Sequence, residues 1–278
     1  MLKKVLLGVG LGVLLATMAV ASAGCASSSG YGAMLSKVPS DTASLKYVDV
    51  KALRNDADLD NLYDAWKAGT DSWLDALGIN HTDVKTVAYG SSADSSFTLL
   101  VAKFDADDVR SELDDREYDE DEYKGVEVWK REVGWDPVLE SRVALMGNLI
   151  IMGDENGVEG CISVIKAGAA SWLSEADVND VASRLPGGVY VDLQKQELAE
   201  LVIEGLEVTG ISAKKLDADT LKIAGVAKFN DEDDADDADD AIENLMELQQ
   251  FKKVDVSQEG LFLEASAELD IDDAESLF

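Results

Sequence analysis

Four aspartates near position 60 have the spacing of calcium ligands. Residues 56–60 read Asp-Ala-Asp-Leu-Asp, and Asp64 follows. Positions 1, 3, 5 and 9 of a twelve-residue EF-hand loop are ligand positions, so these acids match that pattern. The match fails at Asn61, where the loop needs a turn glycine, and at Lys67, where it needs a bidentate glutamate. The weak metal candidates are therefore Asp56, Asp58, Asp60 and Asp64.

A second acidic run, at 230–240, also suggests cation binding, but it fits a helix better. Ala235, Ala238, Leu245 and Leu248 keep helical spacing through the run and beyond it. Acidic side chains in a first helical turn are stabilised by the positive end of the helix dipole. We therefore expect an amphipathic helix with a solvated acidic face and only weak, nonspecific binding of divalent cations.

The residue types that commonly catalyse reactions are scarce. The chain contains one histidine, His81, and two cysteines, Cys25 and Cys161. Common zinc sites need three or four ligands that usually include several His or Cys. The sequence also contains neither a Gly-x-Ser-x-Gly elbow nor a glycine-rich phosphate loop. It predicts a non-enzymatic protein without a cofactor, with Cys161 buried on a helix face and His81 in a surface loop.

The charge of the chain restricts its partners. The protein has 56 acidic and 24 basic residues, and 46% of its residues are hydrophobic, so it can form a core. Residues 1–24 hold two lysines and no acid, which leaves a net charge of −34 on the remainder. Such a surface repels nucleic acid and anionic headgroups. It favours divalent cations, a basic protein partner or a saline habitat.

The first 24 residues have the organisation of a secretory signal. Lys3 and Lys4 precede an apolar stretch from Val5 to Val20, and small residues follow up to Gly24. A positive start, an apolar core and a small-residue processing point are typical of such signals. A plain transmembrane anchor is the alternative, and it needs the Ala/Ser/Gly residues to reach the length of about 20.

Ala23-Gly24-Cys25 resembles the lipobox of bacterial lipoproteins, although Ser22 departs from its usual leucine. The resemblance implies that the Cys25 thiol receives a diacylglyceryl group and that the signal is cut just before it. Several acyl chains on one residue anchor a protein firmly, whereas one chain binds only marginally. The resemblance therefore implies attachment to the cell membrane or outer membrane on the extracytoplasmic side, with residues 25–38 as a flexible tether.

Hydrophobic periodicity predicts alternating strands and helices after the tether. The predicted elements are a strand at 45–50, a helix through 59–77, strands at 84–89 and 97–104, a helix from Asp107 with Asp105 as N-cap, and a strand at 125–130. A hairpin turning at Gly147-Asn148 and a helix carrying Cys161 follow. A further helix is predicted to start at an approximate capping box, Ser174-x-x-Asp177, and to end before Pro186.

Four short matches in the same order suggest an internal repeat. They pair Tyr47-Val48-Asp49-Val50 with Tyr190-Val191-Asp192-Leu193, Gly78-Ile79-Asn80 with Gly210-Ile211-Ser212, Val101-Ala102-Lys103-Phe104 with Val226-Ala227-Lys228-Phe229, and Gly125-Val126 with Gly260-Leu261. We therefore predict an α+β fold of two duplicated ferredoxin-like (βαββαβ) units, the first with an added hairpin and helix. The predicted units span 39–173 and 174–278.

This layout resembles a family of secreted bacterial proteins known only as a domain of unknown function. The shared features are a proline before a Tyr-Val-Asp strand, paired central strands, a Lys/Gly turn before the last strand, and the repeat. The resemblance covers about residues 39–270 and implies no activity.

The sequence leaves three functions open. The first is a membrane-anchored lipoprotein with a binding or scaffolding role. The second is a cation-dependent adhesin or envelope layer component. The third is an envelope polysaccharide hydrolase, which needs only a suitably spaced pair of carboxylates.

Overall fold

In the computed structural model, the described part of the chain comprises residues 30–131, 141–195, 203–248 and 251–277. Within it, twelve strands form one antiparallel sheet. They are β1 Ser44–Val48, β2 Val84–Ser91, β3 Ser96–Ala102, β4 Asp119–Tyr123, β5 Val126–Lys130, β6 Arg142–Met146, β7 Leu149–Gly153, β8 Tyr190–Lys195, β9 Leu206–Lys215, β10 Thr220–Phe229, β11 Lys252–Glu259 and β12 Phe262–Asp270.

Helices cover both faces of this sheet. The α-helices of the described ranges are α1 Gly30–Leu35, α2 Val50–Arg54, α3 Asp60–Ala76, α4 Ala106–Asp115, α5 Glu155–Ala167, α6 Ala176–Arg184 and α7 Glu232–Leu248. Short 3-10 helices lie at Ala57–Leu59, His81–Asp83, Trp172–Ser174 and Ile271–Leu277. The prediction of a mixed α+β fold is confirmed.

The strand order shows how the sheet is assembled from two parts of the chain. It runs β11-β12-β10-β9-β8-β1-β2-β3-β7-β6-β5-β4. Strands from the first part of the chain occupy one side and strands from the second part occupy the other. The two parts join where β1 pairs with β8, with Leu45 opposite Leu193 and Tyr47 opposite Val191. The two predicted sequence units therefore share one continuous sheet.

The predicted ferredoxin-like units are not confirmed. A ferredoxin-like unit is a split βαβ fold, in which the two strands that flank the first helix run parallel with another strand between them. Here β1 and β2 are direct antiparallel neighbours. The connection between them contains two helices, α2 and α3, where the sequence predicted one. This longer connection brings the chain back to start β2 in the opposite direction.

Two of the four repeat matches occupy comparable places. Val101 and Val226 lie near the ends of β3 and β10, the third strand on each side of the central β1–β8 pair. Gly125 and Gly260 both occupy hairpin turns with positive φ, at 73° and 59°. Positive φ favours glycine because it has no Cβ.

The other two matches do not correspond residue by residue. Tyr47 and Tyr190 both lie in central strands, but they pack into core clusters on opposite faces of the sheet. Gly78 follows α3 with a φ of 64°, whereas Gly210 lies inside β9. An odd shift along a strand moves a side chain to the other face, so the Tyr-Val match does not describe the spatial relation.

The core forms on both faces of the sheet. The first core lies under α2, α3 and α4 and includes Trp66 and Val87, while α7 packs farther along the same face. The second core lies under α1, α5 and α6 and includes Trp172 and Cys161. Because both faces are covered, the strands near the centre carry apolar side chains on both sides rather than alternating with polar ones.

Local signals predicted several elements correctly. Asp105 is the N-cap of α4, and its side chain accepts a hydrogen bond from the backbone of Asp107. Gly147 turns the β6–β7 hairpin with a φ of 66°. The capping box at Ser174 was wrong, because Ser174 ends a 3-10 helix and α6 begins at Ala176 with Glu175 as its N-cap.

The edge strand β4 was not predicted. Its sequence is Asp-Glu-Asp-Glu-Tyr, and its four acids are exposed. Such a strand has no apolar alternation to reveal it. Charged side chains on an edge strand oppose pairing with the edge of another sheet.

The predicted tether is wrong over residues 30–38, which are folded into the second core. Tyr31, Met34, Leu35 and Val38 are at most 3% exposed. The Tyr31 hydroxyl donates to the carbonyls of Ala182 and Leu185 at the end of α6. The folded region therefore starts no later than Gly30.

This packing predicts a large effect of substitution at Tyr31. Tyr31→Ala should lower the free energy of unfolding by about 3 kcal/mol or more, because it removes a buried ring. Tyr31→Phe keeps the ring and should cost about 1 kcal/mol through the lost hydrogen bonds. Urea unfolding of both variants measures this difference. Wild-type stability in Tyr31→Ala would mean that this segment is a tether after all.

Candidate functional site

The most polar accessible region of the sheet lies at its centre, on the face that carries the first core. We call it the central strip. It consists of two neighbouring rows of cross-strand partners, Tyr89, Lys46, Asp192 and Ile211 in one row and Ser91, Ser44, Gln194 and Thr209 in the other. Residues directly opposite one another in paired strands project from the same face, so these side chains form one surface.

The central strip is open because the helices of this face cover other rows. The adjoining row, which includes Val48 and Tyr190, is buried in the first core. α7 packs on β10, β11 and β12 farther along the sheet. Between them Lys46 remains 53% exposed in its side chain, and Ile211 is 44% exposed.

Asp192 is the most buried charged group of the strip. Its side chain is 14% exposed. Its carboxylate accepts hydrogen bonds from the Tyr190 hydroxyl at 3.1 Å and from the Gln194 amide at 3.3 Å. The Lys46 ammonium lies 4.0 Å away. β8 itself positions three of these residues, since 190, 192 and 194 alternate onto one face of a strand.

Burial raises the pKa of Asp192, while Gln194, Lys46 and Tyr190 act in the opposite direction. Burial also raises the pKa of Tyr190, with the nearby Asp192 charge as a further cause. The strip thus combines a partly desolvated carboxyl, an exposed ammonium and several hydroxyl and amide groups. This set can hold a polar ligand by hydrogen bonds. The two rows contain one carboxyl, so they do not provide the carboxylate pair used in glycoside hydrolysis.

The raised pKa predicts a pH-dependent effect of Asp192→Asn. A carboxyl whose pKa is higher in the folded state stabilises that state at low pH and loses this contribution as pH rises through the folded pKa. The variant should therefore gain stability relative to wild type at pH 7, and the gain should shrink as the solution is acidified. Thermal unfolding across this pH range measures the difference.

Asp64→Asn is the matched control, because it removes the same charge from an exposed position on α3. A pH-dependence equal to that of the control would contradict an effect of burial at Asp192.

The two leading calcium candidates form ion pairs with a lysine instead. The Lys215 ammonium contacts the Asp56 carboxylate at 2.6 Å and also contacts Asp58. Asp56 is in addition the N-cap of the following 3-10 helix. The hydrogen bond from Lys215 is the largest cause that lowers the pKa of Asp56. This pair connects β9 to the loop before α3.

The other two candidates lie apart from this pair. Asp60 begins α3, and Asp64 is exposed one turn later. Within the described residues, no group of three His, Cys, Asp or Glu side chains is placed to hold a metal ion.

These contacts predict that calcium acts on the protein only as a general counterion. Sodium chloride should raise the melting temperature smoothly, because salt screens repulsion among the acidic groups. Calcium at matched ionic strength should add a shallow increment without a midpoint. A dedicated site would instead stabilise by RT ln(1 + [L]/Kd). A saturable calcium shift that Asp56→Ala or Asp58→Ala abolishes would establish a site.

The lone thiol and imidazole of the described ranges have structural surroundings. Cys161 is fully buried on α5, and burial raises its pKa, which opposes thiolate formation. His81 begins a 3-10 helix and lies 6.0 Å from the Tyr63 ring, half-buried rather than at the open surface. The predicted burial of Cys161 is confirmed.

The acidic run is helical as predicted. α7 starts at Glu232, with Ala235 and Ala238 buried against the sheet. Asp233, Asp236 and Asp237 are exposed. The helix therefore turns its small apolar residues inward and its carboxylates toward solvent.

Cys25 and the whole predicted signal lie outside the described residues. In the ranges that the structure does describe, no helix is both long and apolar enough to cross a membrane.

Comparison with known proteins supports the fold alone. No protein-family model matches the chain, and no curated protein matches it. A solved structure described as "Structure of crystal form IV of TP0453" is similar, with a TM-score of 0.53 and 11% sequence identity. The match covers 87% of this chain and 94% of that chain.

The sequence did not reveal the central strip. The Tyr-Val-Asp stretches around Lys46 and Asp192 were visible as repeat matches, but their pairing was not. The alternation of polar residues at 44 and 46 and at 192 and 194 was the available signal for an open sheet face.

Proposed function

We propose that this protein is a lipid-anchored lipoprotein on the extracytoplasmic face of the cell membrane or outer membrane, with a non-enzymatic binding or scaffolding role. The observation that carries the proposal is the position of Cys25. It follows an apolar stretch and small residues, and the folded region begins within five positions of it. This arrangement fits a domain that starts directly after its anchor.

The central strip supports the binding role. Its hydroxyl, amide and ammonium groups suit hydrogen bonding to a polar partner, and the Asp192 carboxyl adds a site for a basic group. A basic protein is the partner that best complements the net charge of −34 on residues 25–278. Like charges repel acidic partners and nucleic acid over the range of the Debye length.

The anchor is tested by replacing its thiol. Cys25→Ser should abolish incorporation of a radiolabelled fatty acid and release the protein from membranes or stall its processing. Cys161 supplies the control, because Cys161→Ala removes the other thiol and should leave labelling unchanged. Equal labelling of Cys25→Ser and wild type would refute lipidation at this residue.

We also infer that the two sides of the sheet arose by duplication. Each side has three successive antiparallel strands next to the centre, then a helix, α4 or α7, and a hairpin at the outer edge. The first side has the β6–β7 hairpin and α5 in addition. The matches at Val101 and Gly125 support this correspondence, and those at Tyr47 and Gly78 do not.

A further inference from the structure

Acidic residues are absent from the chain around the predicted anchor. The first 40 residues contain no Asp or Glu, whereas the remaining 238 contain all 56. Residues 181–191 form a second stretch without an acid. In the rest of the protein, acids are frequent in exposed helices, turns and edge strands. The two acid-free stretches are therefore exceptions to the charge pattern.

The fold brings these stretches together. The Tyr31 hydroxyl of α1 bonds to the carbonyls of Ala182 and Leu185 at the end of α6. Both stretches pack on the second core. Their exposed surface, which we call the acid-free patch, comprises Gly30, Ala33, Ser36, Pro186 and Gly187.

The charged groups of these stretches are basic. Lys37 follows the last turn of α1, and Arg184 ends α6. Arg184 forms ion pairs with Glu259 and Glu264, so the nearest carboxylates from the neighbouring strands are neutralised by it. The patch and its immediate neighbours thus lack the unpaired acids that cover α7 and β4.

The covalent distance from Cys25 to Gly30 limits what a membrane anchor can reach. Five residue steps span at most about 18 Å. Twelve strands about 4.8 Å apart make the sheet about 50 Å wide. A lipid on Cys25 therefore holds the part of the domain near Gly30 at the bilayer, while most of the sheet lies beyond the reach of this connection.

We propose that the acid-free patch docks on the anionic headgroup surface of the membrane. The inference rests on the proposed lipidation of Cys25. A patch without acids removes the repulsion that any other orientation would produce, and each basic residue near an anionic membrane adds attraction. The anchor and the patch together then fix the orientation of the domain, with the second core facing the bilayer.

The experiment uses the full chain, purified in its processed form from membranes and reconstituted into vesicles. The vesicles consist of phosphatidylcholine with or without phosphatidylglycerol. A fluorophore is attached to Ala33→Cys in the patch or to Ala68→Cys, an exposed position on α3 on the opposite face. Cys161 does not compete for the label because it is fully buried. Mass spectrometry establishes whether Cys25 is acylated.

In vesicles with phosphatidylglycerol, the label at Ala33 should be quenched by headgroup spin labels and shielded from a water-soluble quencher, unlike the label at Ala68. Adding Ser36→Glu should lower the ratio of docked to undocked protein about fivefold, which is the effect of one charge near an anionic surface. Ser36→Gln should leave the ratio unchanged. Without phosphatidylglycerol, both substitutions should have the same effect.

The results separate the two proposals. An unacylated Cys25 overturns the proposed function and this inference with it. An acylated protein whose Ala33 label is as accessible to water as its Ala68 label overturns docking alone. An equal effect of Ser36→Glu and Ser36→Gln on anionic vesicles likewise excludes charge as the cause of the orientation.

Discussion

The antiparallel pairing of β1 with β8 is the constraint on which the rest of the structure depends. It joins strands 140 to 150 residues apart in the chain into one sheet, with Leu45 opposite Leu193 and Val48 opposite Tyr190. Both faces of this pair are buried, one in each core, except where the central strip begins. A shift of one residue would exchange the faces, placing Tyr47 in the first core and Lys46 in the second. The burial of an ammonium and the loss of apolar packing make that register unfavourable, so the hydrophobic pattern determines the pairing.

The same pairing creates the central strip. Lys46 and Asp192 come from different parts of the chain and meet only because their strands are neighbours in this register. Asp192 then lies within a row flanked by the buried Tyr190 and the part-exposed Gln194 on its own strand. The partial desolvation of its carboxyl is thus a consequence of where the helices of this face end. A buried carboxyl tolerates such a place when hydrogen bonds and a nearby cation compensate for lost hydration.

The protein folds despite its charge because its few basic side chains occupy positions where they connect elements. Lys228 is 8% exposed and contacts Asp177 and Asp180, which links β10 to α6. Arg110 binds Glu127 through two nitrogens at 2.8 Å and 2.7 Å, which links α4 to β5. Bidentate contacts of this kind hold geometry better than single surface pairs. The excess of carboxylates remains on exposed helix faces and on β4, where water screens it.

Local sequence patterns predicted elements but not their neighbours. The helices at α3, α4, α5 and α7 and the β6–β7 hairpin follow from periodicity, caps and turn residues, which depend on nearby positions. Strand order depends on which distant strands bury each other's apolar faces, and nothing in the sequence of β1 names β8 as its partner.

The missed helix α1 had a different cause. Its glycines resembled a linker, although Tyr31, Met34, Leu35 and Val38 have the i, i+3, i+4, i+7 spacing of a helix face. The composition of the segment was given more weight than its periodicity.

The position of α1 relates the proposed anchor to the candidate site. α1 packs on the second core, whereas the central strip belongs to the opposite face of the sheet. A twisted sheet covered by helices transmits no freedom between its faces, because its interior is close-packed. An anchor that enters through α1 therefore restrains the orientation of the strip as well. With the second core against the membrane, Lys46 and Asp192 face away from the bilayer, toward the solution from which a basic partner would approach.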